Sequence, residues 1–193
     1  MMGLVAGIAV APSVARASVR EPDESWLQGM TGKHKQMFDV STTRGGTALA
    51  RTANFLDAYA EAYGMKDSDL NAVIGVHGAA LAIALNDAMW AKYELGKRSG
   101  EIDPKTQAPA TRNVFASGTP TSVARLQERG VRFIACGRAI RRLSGELATP
   151  GNSADQVRAE LLANLLPGFT PVPALIVAVN RAQEAGLSYV YIG

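Results

Sequence analysis

Thr119-Pro120-Thr121-Ser122-Val123-Ala124-Arg125-Leu126-Gln127-Glu128-Arg129-Gly130-Val131-Arg132-Phe133-Ile134-Ala135-Cys136-Gly137-Arg138-Ala139-Ile140-Arg141-Arg142 is the stretch on which the fold turns. Threonine followed by proline is a helix start, because the hydroxyl can cap free amides and proline lacks the amide that the first turn leaves unpaired. Gly130 is the matching stop. Val131 to Ala135 is then an uninterrupted apolar run, as expected of a strand buried on both faces. Cys136 falls at the C-terminal end of that strand, and a basic helix continues from Arg138 to Leu147.

The same alternation extends in both directions. Upstream, Gln36 to Ser41 reads as a strand, Thr47 to Tyr63 as a helix closed by Gly64, Leu70 to His77 as a buried strand, and Ala79 to Leu95 as an alanine-rich helix. Downstream, Ser153 caps a helix running to about Leu165, Phe169 to Val172 forms a short strand, Pro173 opens a helix to Ala185, and Leu187 to Ile192 is a terminal strand. Strands alternating with helices predict an α/β fold: one mostly parallel sheet of about five strands, covered by helices on both faces through right-handed crossovers. Residues 96–118 are polar, contain proline, lack a period and read as a surface excursion.

The chain of 193 residues is 47% hydrophobic, enough for one substantial core. A formal charge of +3 with dispersed basic residues does not describe a nucleic-acid protein. Residues 1–17 are apolar and small up to Val14, and Ala15-Arg16-Ala17 supplies an A-x-A cleavage pattern, so this segment reads as an export leader or a membrane anchor. Without a charged n-region, the leader is expected to begin upstream of Met1. Residues 18–35 read as a polar N-terminal arm and 36–193 as the α/β domain. Export predicts a periplasmic location, or one at the periplasmic side of a membrane. The single cysteine can form no disulfide within the chain.

Ligands of open α/β sheets bind beyond the carboxyl ends of the strands. Three segments are expected there: Thr42 to Gly46, His77-Gly78 and Cys136-Gly137. Cys136 is either a nucleophile or sulfur carrier, favoured by Arg138 and a helix N-terminus, or a small buried hydrophobe. His77 either exchanges a proton with Cys136 or is satisfied by a backbone carbonyl. Gly45-Gly46 and Arg138 could bind an anion, although Gly45-Gly46-Thr47 fits no phosphate-loop motif and also reads as a plain turn. Asp87 and Lys92 lie five residues apart on the expected helix, a spacing that does not bring them together. His34, His77 and Cys136 show no metal-ligand spacing, and no motif calls for a cofactor.

Four segments are similar to the DsrE/DsrF-like sulfur-relay family, and in particular to its exported members. They are Ala72-Val73-Ile74-Gly75-Val76-His77-Gly78, Leu126 to Cys136, Leu165-Leu166-Pro167-Gly168-Phe169-Thr170-Pro171-Val172-Pro173, and Gln183-Glu184-Ala185-Gly186-Leu187-Ser188-Tyr189-Val190. The likeness spans roughly residues 36–193. It implies a single flavodoxin-like domain without bound flavin, usually a homo-oligomer, in which Cys136 accepts sulfane sulfur as a persulfide and passes it to a partner thiol. The chain departs from the best understood carriers in its leader, its 96–118 excursion and the absence of a resolving cysteine. Any onward transfer must therefore go to another molecule. The alternative function is a noncatalytic accessory subunit of a periplasmic or membrane-associated complex.

Overall fold

A computed structural model of the protein describes residues 22–193. The expected leader or anchor at 1–17 lies outside the described residues. Five strands, β1 (His34–Val40), β2 (Leu70–Val76), β3 (Arg132–Cys136), β4 (Phe169–Val172) and β5 (Ser188–Ile192), form one sheet in the order β4-β3-β2-β1-β5. Every pairing is parallel, from Phe38 opposite Ile74 at the centre to Cys136 opposite Val172. The chain is thus an α/β domain of flavodoxin-like layering. Flavodoxin itself has the order 2-1-3-4-5; here β1 sits between β2 and β5.

The order dictates how the helices are shared between the faces. From β1 to β4 each crossover steps the same way along the sheet, so right-handed connections place their helices on one face. That face carries α1 (Thr47–Tyr63), α4 (Val123–Glu128), α5 (Gly137–Leu147) and α6 (Ala154–Ala163). Leu49, Leu56, Leu126, Ile140 and Leu161 pack there against Phe38, Ile74 and Phe133. Only the return from β4 to β5 reverses direction, and its helix α7 (Leu175–Glu184) covers the opposite face. Leu175, Ala178 and Ala182 meet Met37, Val73 and Ile134 there. Gly75 makes the close approach possible, since a Cβ at that position would lie 2.4 Å from Leu175 Cδ1.

The polar arm is better anchored than its composition predicts. Trp26, in a 3-10 turn at Ser25–Leu27, is buried with Met30 in the core beneath α7. Arg132 holds the turn by donating to the Trp26 carbonyl at 2.9 Å and to those of Ser25 and Gln28.

Two expected helices are corrected. Ala79 to Leu95 does not form one helix: a 3-10 turn over Gly78–Ala84 is followed by α2 (Asp87–Lys92) and α3 (Leu95–Ser99). Ala80 to Leu85 are all buried and offer no polar face for an amphipathic helix. Side chains satisfy the backbone instead: Trp90 Nε1 donates to the Ala82 carbonyl (2.8 Å), and Asn113 Nδ2 donates to those of Ile83 (3.0 Å) and Leu85 (2.7 Å). Asn86 then caps α2 by accepting the Met89 amide. Likewise α4 starts at Ser122, whose hydroxyl accepts the Arg125 amide, while Thr119-Pro120 forms a turn before it. Residues 96–118 are surface-facing only in part, because Ala110, Asn113 and Phe115 are buried and Phe115 stacks edge-on against Trp90.

Candidate functional site

The helix after β3 lies on one face of the sheet and the helix after β4 lies on the other, so the carboxyl ends of these neighbours form a switch point, where crevices arise. Cys136 occupies that point. It is the last residue of β3 and the N-cap of α5, with 6% of its surface exposed. The backbone amide of Leu175, the first residue of α7, donates to Cys136 Sγ at 3.3 Å. The sulfur thus stands at the N-terminal ends of two helices from opposite faces. Of the two, the α7 terminus directs an N–H at the sulfur, whereas Cys136 Sγ makes no capping bond to the amides of α5. Gly137 lets the strands close around it: a Cβ there would lie 2.8 Å from the Val172 carbonyl oxygen and 3.2 Å from that of Pro173.

Cys136 opens into a cleft of about 630 Å³ between α5 on one side and α3 with the 3-10 turn after β2 on the other. Leu81, Leu95 and Leu143 contribute its apolar lining, and Arg98, Arg138 and Arg142 its positive charge. Arg142 is held by Glu146 at 2.8 Å. His77 lines the same cleft, but its Nε2 is 3.1 Å from Asp39 Oδ1, an ion-pair distance without the alignment of a directed hydrogen bond. The other Asp39 oxygen accepts the Tyr189 hydroxyl at 2.9 Å. Partial burial, and then this bond to a carboxylate, push the Tyr189 phenol above its ordinary pKa. A Tyr189-Asp39-His77 chain therefore crosses β5, β1 and the end of β2.

The structure brings Cys136, His77 and Arg138 to one cleft and leaves Gly45 and Gly46 outside its lining. Gly45 has φ 59° and Gly46 φ 82°, and the Gly45 amide donates to Glu101 Oε1 at 3.1 Å. A carboxylate of the same chain therefore already occupies that amide. Asp87 accepts the Asn113 amide at 2.8 Å and Lys92 pairs with Glu160, so both brace the fold. His34 stacks on Tyr59. No cluster of three or more potential metal ligands occurs among the described residues, and no described helix is long and apolar enough to cross a membrane.

No protein-family model matches this chain, and no curated protein matches it. A solved structure of a protein of unknown function, MTH1491 from Methanobacterium thermoautotrophicum, is similar at 15% sequence identity and a TM-score of 0.47, covering 82% of this chain and 99% of that one.

Sequence reasoning missed Asp39, Arg98 and the Leu175 amide. Asp39 did carry a signal, as a lone acid inside Met37-Phe38-Asp39-Val40. The Leu175 amide carried none, because any residue supplies an N–H.

Proposed function

We propose that the protein is a sulfur carrier of the DsrE/DsrF-like type, with Cys136 as the acceptor of a sulfane sulfur. The observation that carries this reading is the Leu175 N–H directed at Cys136 Sγ at the head of an arginine-lined cleft. Chemically, the Cys136 thiolate attacks the outer sulfur of a donor persulfide. An Sγ–S bond forms as the donor S–S bond breaks, and the electron pair leaves with the donor thiolate. The thiol proton of Cys136 is matched by protonation of that leaving group, so no external oxidant is required. Arg138 and the N-terminus of α7 stabilise the anion, and His77, whose Nε2 lies 3.1 Å from Asp39 Oδ1, is the proton-exchanging group at the cleft. A partner thiol then takes the outer sulfur by the same exchange. In this reading the protein works after export, as a homo-oligomer or with a partner at the periplasmic side of the membrane.

Intact-mass measurement before and after exposure to a polysulfide tests it. The expected result is a reducible addition of one sulfur to the wild type and none to Cys136→Ser. A Cys136→Ser protein that keeps full sulfur-acceptor activity refutes it.

One observation favours the accessory-subunit reading. Ile176 (76% exposed), Val177 and Tyr191 present apolar surface suited to a partner. Recovery from native membranes as a lone soluble species would count against that role.

A further inference from the structure

The shape and charge of the cleft define what kind of sulfur donor it fits. A water molecule takes about 30 Å³, so an inorganic sulfur ion fills only a small share of about 630 Å³. The lining runs along α5 from Arg138 to Glu146, about 12 Å at the helical rise per residue. Cys136 and His77 stand at one end. A peptide of about three residues spans a similar distance when extended.

The arginines differ in how they are engaged. Arg142 is tied through Nε to Glu146. Arg98 uses only its Nε, on the Tyr93 carbonyl at 3.1 Å, which leaves its two terminal nitrogens open. Arg138 is exposed and has no side-chain partner among the described residues. Two arginines from different elements, α3 and α5, thus line one groove that is partly apolar. Guanidinium forks suit carboxylates.

We infer that the cleft binds a low-molecular-weight thiol compound of about tripeptide size with two carboxylates, one taken by Arg98 and one by Arg138, and its sulfur delivered to Cys136. This rests on the sulfur-carrier reading for what happens at Cys136, but binding itself does not require transfer.

The test is calorimetric titration of the full chain with S-methylglutathione, a dicarboxylate tripeptide thioether that cannot transfer sulfur. One-to-one binding is expected, equal in wild type and Cys136→Ser. Arg98→Ala and Arg138→Ala should each weaken it about tenfold, and the diethyl ester of the same probe should be weakened at least as much. Arg125→Ala, on α4 away from the cleft, should leave it unchanged. These arginines are exposed, and matching melting temperatures would show that the variants fold.

Absence of binding, or binding indifferent to Arg98 and Arg138, overturns the inference. If Cys136 nevertheless takes sulfur from polysulfide, the carrier reading survives that failure. Arginine-dependent binding with no sulfur ever found on Cys136 supports the ligand class and overturns the carrier reading instead.

Discussion

The backbone amide of Leu175 donates to Cys136 Sγ at 3.3 Å across the boundary between β3 and β4. These residues are far apart in sequence, and they meet because the two strands pair in parallel and send their helices to opposite faces of the sheet.

Leu175→Pro removes this N–H at the first helical position, where proline is well tolerated. Leu175→Ala removes a comparable part of the side chain and keeps the amide. At equal pH, alkylation of Cys136 by iodoacetamide is expected to be about tenfold slower in the proline variant than in the alanine variant, because a hydrogen bond to the reacting sulfur is lost. Equal rates would show that the amide does not act on sulfur.

Gly137→Ala forces a Cβ against the Val172 and Pro173 carbonyls. It should destabilise the fold by about 1–3 kcal/mol and speed alkylation of Cys136 by loosening the joint. Gly145→Ala, in the same helix with open space around the new Cβ, should instead stabilise by up to about 1 kcal/mol. Urea midpoints of the two variants compare them directly.

Asp39→Asn removes the carboxylate that accepts the Tyr189 hydroxyl. A neighbouring negative charge opposes phenolate formation, so the raised Tyr189 pKa should move back toward its ordinary value. Ultraviolet titration of wild type against Asp39→Asn, with Tyr189→Phe to assign the signal, reads the change. No movement would show that the Asp39 carboxylate does not act on the Tyr189 phenol.

Asn113→Ala strands the Ile83 and Leu85 carbonyls and the Phe115 amide, all now paired with this one buried side chain. A loss of about 2–4 kcal/mol is expected in urea unfolding. A loss under about 0.5 kcal/mol, the range of ordinary surface changes, would mean that residues 96–118 are not tied to the core.

Glu160 lies below its ordinary carboxylate pKa because Lys92 and then Tyr93 hydrogen-bond to it. A depressed folded pKa contributes stability that is present above the unfolded value and lost as pH falls through the folded one. The wild type should therefore lose this increment on the acid side of about pH 4.5, the ordinary value, and Glu160→Gln should show a flatter acid limb. Melting temperatures from pH 7 to pH 3 measure it.

The α/β alternation was legible because each element carried local signals. Thr47–Tyr63 matches its expected bounds, and Ser153 caps α6 through a reciprocal box with Gln156. Phe169–Val172 also matches, bounded by Gly168 and Pro173. The alanine-rich segment failed because helix propensity is a weak term. Burial of Ala80 to Leu85 on all sides and the reach of Asn113 and Trp90 to their carbonyls outweigh it. Trp26 escaped notice because one aromatic in a polar arm has no periodicity to announce its burial.

The sequence by itself determined the strands, most of the helices and the position of a lone thiol at a strand end, since capping, turns and periodicity act over a few residues. Tertiary structure alone decided the rest. Strand order puts α7 on its own face and aims the Leu175 amide at Cys136, and parallel register puts Asp39 beside His77 and Tyr189. Packing of α3 and of α5 against the 3-10 turn after β2 brings Arg98 and Arg138 to one cleft. Such pairings depend on which distant segments share a sheet edge, and no local preference of the chain encodes that.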